Sequence, residues 1–186
     1  MTEEQFSARA TPRQAKPLFI GDLVALCKII NYKLHTATTY PIHLYIQSRD
    51  LAYFKPHFFS GDRLSDLAHI KAAEILRFLN DKGLLFDHVF GKTLRSGDSR
   101  VFAVARHLNS AICPVQALDD YNSIRTAIKI SVHSDPLFRA TDAAEARLQS
   151  YLEAAGLSNK PLYSFLCGGV LPWHLLEVLW TTSWNM

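Results

Sequence analysis

The sequence is poor in the residues that mark specialised chemistry or an unusual environment. Its three cysteines, Cys27, Cys113 and Cys167, are odd in number and widely spaced, which argues against a disulfide scaffold and for a reducing compartment. No apolar run approaches the roughly 18 residues that a membrane helix needs. The opening MTEEQFSARATPRQ is polar and starts acidic, unlike a signal peptide. The eight histidines form no HExxH pattern and are accompanied by no CxxC pair, so no metal site and no small-molecule cofactor is expected. A GxSxG elbow, a phosphate-cradling glycine loop, internal repeats and low-complexity tracts are also missing. Charge of one sign is scarce: 20 Lys and Arg against 17 Asp and Glu leave +3, which permits a polyanionic partner without demanding one. The chain reads as soluble and intracellular, nuclear if it is eukaryotic, with no membrane association.

With 186 residues, 48% of them hydrophobic, the chain can bury one core. Residues 1–16, which carry Arg9, Arg13 and Lys16 and little to bury, read as a flexible arm before a single domain over 17–186. Phe19, Leu23, Leu26 and Ile30 recur at helical spacing and predict a first helix ending near Lys33. A second helix is expected over 42–59, largely buried, with a kink or restart at Pro56, where a backbone donor is missing. Leu64, Leu67 and Ile70 mark a short amphipathic segment after Ser60 and Gly61. The period then changes. Residues 74–79, 83–90 (GLLFDHVF) and 100–105 (RVFAVA) are rich in branched and aromatic side chains and are separated by turn-like sequences, so they predict a three-stranded antiparallel sheet. Helix returns at Pro114, with a stripe of Ala117, Tyr121, Ile124 and Ile128. Another follows through Leu148, Tyr151 and Leu152, opened by Asp142 and Glu145 as a capping box and stopped by Gly156. The fold class is therefore α+β: mainly helical with a small three-stranded antiparallel sheet.

Two short constellations could carry chemistry. In Ser60-Gly61-Asp62-Arg63-Leu64-Ser65-Asp66, a glycine turn presents Arg63 at a helix start with Asp66 on the same face. A carboxylate three residues on can hold a guanidinium in one orientation, and a fixed guanidinium can grip a phosphate with two parallel hydrogen bonds. Read plainly, the same pair is a surface ion pair worth about 0.5 kcal/mol. The second constellation is Gly91-Lys92-Thr93-Leu94-Arg95, on the edge of a hairpin. Across residues 91–107, Lys92, Arg95, Arg100 and Arg106 face Asp98 alone, a surplus that equals the net charge of the whole chain. Such local basicity suits duplex DNA, although charged hairpin tips also serve solubility. His88 shares a strand face with Leu84, Phe86 and Phe90 and reads as a structural histidine.

Taken together, with Arg63 and Lys92 29 residues apart and a strand pair between them, these segments resemble the catalytic domain of the tyrosine recombinases. That phage-integrase family includes versions carried by mobile elements of eukaryotic genomes, and these are the most similar. The first arginine box of the family, T/S-G-x-R-x-x-E/D, is matched by Ser60 to Asp66. GLLFDHVFGKTLRSGDSRVFAVAR followed by ICPVQALDDY looks like the family's lysine hairpin and the helix after it. The resemblance implies DNA recombination or integration chemistry, in which a tyrosine attacks a phosphodiester, two arginines and a histidine stabilise the transition state and a lysine protonates the leaving oxygen. By matching position, Arg63 is the first phosphate clamp, Asp66 its orienting acid and Lys92 the general acid.

The second box of the family, H-x-x-R, aligns with Tyr163-Ser164-Phe165-Leu166, so Tyr163 stands in the histidine position and Leu166 in the arginine position. The nucleophilic tyrosine of the family comes more than 20 residues after that arginine, whereas twenty residues follow Leu166, so the nucleophile is expected to be missing. A truncated, degenerate recombinase domain that binds duplex DNA through Lys92, Arg95, Arg100 and Arg106 without reacting is the reading that results. Its alternatives are a fragment of an active strand-transferase completed by a missing C-terminal segment or partner, and a structural interaction domain that does not meet DNA. Self-association is expected through Val170, Leu171, Trp173, Leu175, Leu176 and Trp180.

Overall fold

The computed structural model describes residues 17–36, 40–60, 67–78, 81–88, 100–131, 136–138 and 142–157. Among these are four α-helices and a three-stranded antiparallel sheet. The proposed N-terminal arm, the Asp142 and Glu145 side chains of the expected capping box, and the apolar stretch 170–180 lie outside what is described.

Helix α1 (Ile20–Thr36) buries Leu23, Leu26, Cys27 and Ile30, a stripe at three- and four-residue spacing. Phe19, expected on that stripe, is exposed instead, because it precedes the helix and its backbone N–H donates to Asp22 Oδ2 at 2.8 Å. That bond satisfies a donor the helix leaves open, and it puts an acid in the first turn, where the helix dipole favours one.

Helix α2 (Pro41–Ser60) starts on a proline whose missing N–H costs nothing at that position. It runs to Ser60 without restarting at Pro56, contrary to the expectation from sequence. Every residue from Asp50 to Phe58 is buried, so packing on all sides holds the helix through the lost bond. Tyr53, Phe54 and Phe58 fill the centre of the core with Tyr121 and Phe138.

The sheet follows. A 3-10 turn at Ala72–Glu74 precedes β1 (Ile75–Phe78), and Glu74, expected to open the strand, instead turns its carboxylate back to accept from the Lys71 N–H at 2.8 Å. Strands β2 (Gly83–His88) and β3 (Arg100–Ala105) complete an order β1-β2-β3, with Ile75 opposite Phe86 and Leu84 opposite Val104. Alternation sends Leu84, Phe86, Phe102 and Val104 into the core, where the rings of Phe86 and Phe102 stack 4.7 Å apart. Gly83 leaves room for the Phe78 ring, which would lie 2.4 Å from a Cβ at that position.

Helix α3 (Pro114–Ala127) is capped by Cys113, whose Sγ accepts from the Gln116 N–H at 3.4 Å, and it packs along α2. Its Tyr121 hydroxyl donates to the Leu137 carbonyl at 2.8 Å. The segment 136–138 is in turn tied to the sheet approach by the Leu137 N–H to the Ile70 carbonyl at 2.7 Å. Helix α4 (Asp142–Ala154) ends at Gly156, whose φ of 74° lets Leu157 N–H reach back to the Leu152 carbonyl at 2.7 Å. Among the described residues no helix is long and apolar enough to cross a membrane.

Candidate nucleic-acid interface

Six residue pairs, from Gly83 opposite Ala105 to His88 opposite Arg100, join β2 and β3. The chain between them, residues 89–99, connects the two strands beyond the His88 and Arg100 pair and contains Lys92 and Arg95. Lys92 and Arg95 themselves lie outside the described residues, as do Arg63, Asp66, Tyr163 and Leu166. Arg100 is described through its backbone, as the last rung of the ladder.

Arg106 belongs to a different place. It follows the opposite end of β3, roughly 20 Å along the strand from Arg100 at about 3.4 Å per residue. There its N–H donates to the Lys82 carbonyl at 2.7 Å, and its guanidinium donates to the Asp81 carbonyl at 3.1 Å and to Asp119 Oδ2 at 3.4 Å. Arg77 shares both acids, donating to Asp81 Oδ1 at 2.6 Å and to Asp119 Oδ1. These bonds hold the Arg77 guanidinium above its usual pKa, the one to Asp119 first. Two arginines and two aspartates thus form a balanced network at the base of the sheet, made possible by Asp81 at φ 73°, a left-handed turn position that aspartate tolerates. Of the four cations expected to meet phosphate, Arg106 therefore lies at the opposite end of β3 from Arg100, its Nη2 turned to Asp119 and its Nε to the Asp81 carbonyl.

The arginine box begins beside that same base. Phe59, near the end of α2, lies against the His107 ring with centroids 5.8 Å apart, and Ser60 is buried with its hydroxyl donating to the His57 carbonyl at 3.1 Å. Leu67, the next described residue, is buried.

Deeper in the helical layer, Asp50 is 1% exposed and accepts from Arg147 as a fork, Nε to Oδ2 at 2.7 Å and Nη2 to Oδ1 at 2.8 Å. The Tyr151 hydroxyl donates to the same Oδ2 at 3.1 Å and Arg49 reaches Oδ1 at 3.4 Å. Lys33 of α1 sits 4.9 Å from the centre of the Tyr151 ring, so α1, α2 and α4 meet here. Burial pushes the Tyr151 hydroxyl up, and Asp50 adds to the effect. Three further buried groups line the core side of α1 and α2. Burial raises the Cys27 thiol to about 11, lowers His57 to about 3, and lowers the Lys55 ammonium against the opposing pull of Cys27, Asp120 and Cys113. A thiol held protonated in this way is a poor nucleophile. Among the described residues no three His, Cys, Asp or Glu side chains are grouped as a metal would require.

The sequence reading did not single out Asp50, Arg147 or Lys55. Lys55, a charged residue in the mostly apolar stretch from Leu51 to Phe58, is marked by that setting, whereas nothing local pairs Asp50 with Arg147, 97 residues away. No protein-family model, curated protein or solved structure matches this chain.

Proposed function

We propose that this chain is a DNA-binding domain of tyrosine-recombinase lineage that does not carry out strand transfer. The observation that carries the reading is an order of motifs and elements: a Ser-Gly-x-Arg-x-x-Asp segment directly after the buried helix α2, then a three-stranded meander with Gly-Lys-Thr in the connection between β2 and β3. A hairpin whose strands pair regularly up to His88 and Arg100 gives such a connection a firm base from which to meet a phosphate backbone. Lys92, Arg95 and Arg100 supply the charge, and Arg106 is assigned instead to the network at the sheet base. Tyr163 and Leu166 in place of histidine and arginine remove the donors that would stabilise a pentavalent phosphate, a loss on the order of 3 kcal/mol or more in the transition state.

The test is anisotropy of a labelled duplex titrated with the full chain at several salt concentrations. The reading requires weak binding with little sequence preference and a steep fall with salt, reduced when Lys92 and Arg95 are changed together to Ala. Binding that ignores those changes, or its absence at low ionic strength, rejects it. Incubation with a nicked suicide duplex followed by a denaturing gel tests inactivity: a protein-linked strand would restore the strand-transferase reading. A second reading, an interaction domain that does not meet DNA, draws on the outer sheet face, where Leu76 and Val101 are 56% and 53% exposed. Concentration-dependent self-association without DNA binding would favour it.

A further inference from the structure

Between the inner side of the sheet and α3 lies a cavity of about 160 Å³. Its floor is apolar: Leu84 from β2, Leu118 from α3 and Leu137 are all buried. Its rim is polar, formed by Arg77 from β1 and by Asn122 and Arg125, which lie one and two turns beyond Leu118 on the same face of α3. We infer that this cavity is a binding site for a small apolar monocarboxylate, gripped by Arg125.

Two comparisons within the molecule support the assignment. Arg147 shows what a guanidinium edge takes when an acid is present, with Nε and Nη2 both donating to Asp50. Arg125 has the same edge, yet its Nε is buried and has no hydrogen-bond partner among the described residues. A buried N–H of a charged group without an acceptor is costly; Arg49 Nε is in the same state, but Arg125 alone of the two lines the cavity. The second comparison fixes the charge of the ligand. Arg77, the other cation on the rim, is already engaged by Asp81 and Asp119, so one positive charge is left to be matched. A monoanion matches it and a phosphate dianion does not. The volume allows a small ring as the body, since a cavity of about 150 Å³ can take up benzene. An acid of benzoate size would set its ring on the leucine floor and its carboxylate on the Arg125 fork, with the Asn122 amide beside it.

This site is separate from the hairpin to which DNA binding is assigned, so the two readings fail independently. The test is NMR of the methyl-labelled full chain titrated with sodium benzoate at constant ionic strength. Saturable shifts of the Leu84, Leu118 and Leu137 methyl groups with millimolar affinity are expected. Arg125→Gln should weaken binding at least tenfold. Arg125→Lys, which keeps the charge but not the fork, should weaken it several-fold while the spectrum stays folded. Neutral benzamide should bind at least tenfold more weakly than benzoate, inorganic phosphate should leave the three leucines unmoved, and Lys92→Ala should change nothing. Benzoate shifts that do not saturate, survive Arg125→Gln unchanged, are matched by benzamide or are exceeded by phosphate would each overturn the assignment.

Discussion

Asp50 and Asp119 each accept from two arginines, yet they do so in different solvents. Asp50 is 1% exposed, is held by a fork from Arg147 and a contact from Arg49, and joins helices far apart in sequence. Asp119 is 28% exposed and meets Arg77 and Arg106, whose side chains are 41% and 36% exposed. Removing Asp50 leaves Arg49 and Arg147, 12% and 26% exposed, without the buried acceptor they share, whereas water and salt can replace a partner in the second network. The same residue pairing therefore has a large energetic weight in the helical layer and a small one at the sheet base.

The largest effect follows from breaking the buried network. Asp50→Ala should lower stability by about 3 to 5 kcal/mol, because Arg147, Arg49 and the Tyr151 hydroxyl then lose their shared acceptor. Urea unfolding followed by far-ultraviolet circular dichroism measures it, and a loss below about 1 kcal/mol would place Asp50 in the same class as Asp119. Asp50→Leu combined with Arg147→Met should recover part of the loss, since it removes both charges of the fork and keeps the volume, while Arg49 and the Tyr151 hydroxyl still lose their acceptor.

Acid sharpens the contrast next, through the same buried helix. His57 is held neutral by burial with its pKa lowered to about 3, whereas the unfolded chain has the ordinary value of 6.5. Below pH 6.5 the unfolded state takes up a proton that the folded state refuses, so stability falls as pH drops from 6.5 toward 3 and does not depend on this group above 6.5. Urea midpoints measured from pH 7 to pH 4 should decline in the wild type and decline less in His57→Leu. Equal slopes in the two proteins would show that His57 is not held neutral in the folded state.

How far these features could be read in the sequence depended on how local their causes are. Pro114 at the start of α3, the limits of β3, and Gly156 after α4 are fixed by neighbours in the chain, and sequence reasoning located them. At Pro56 one missing bond outweighs local propensity and predicts a break, but the burial around α2, which no local pattern shows, holds the helix together. Arg100 and Arg106 are close in sequence, but the strand between them puts them at opposite ends of β3. The Asp50 and Arg147 fork spans 97 residues and has no periodicity to announce it. The Arg125 cavity needs three elements brought together, and no single segment reveals it.

A smaller effect tests how the buried network shares its load. Tyr151→Phe removes one hydroxyl donor from Asp50 and leaves the Arg147 fork and the ring under Lys33 in place. The expected loss is about 1.5 to 2 kcal/mol, the lower part of the range for one hydrogen bond to a charged acceptor, because the carboxylate keeps its other partners. A loss as large as that of Asp50→Ala would mean that the hydroxyl, and not the fork, positions the carboxylate.

The smallest effect is expected at the sheet base, and its salt dependence matters more than its size. Asp119→Asn keeps the shape and an acceptor oxygen while removing the charge shared by Arg77 and Arg106, and Arg77 retains its bond to Asp81. An exposed network of this kind contributes about 0.5 kcal/mol at low ionic strength. At 1 M salt, where screening acts over about 3 Å, that difference should disappear. The Asp50→Ala deficit should persist under the same conditions, because ions do not enter the space that Asp50 occupies. A loss for Asp119→Asn that exceeded 2 kcal/mol and ignored salt would place the Arg77 and Arg106 network under cover from solvent, and the distinction between the two aspartates would then rest on something other than their exposure.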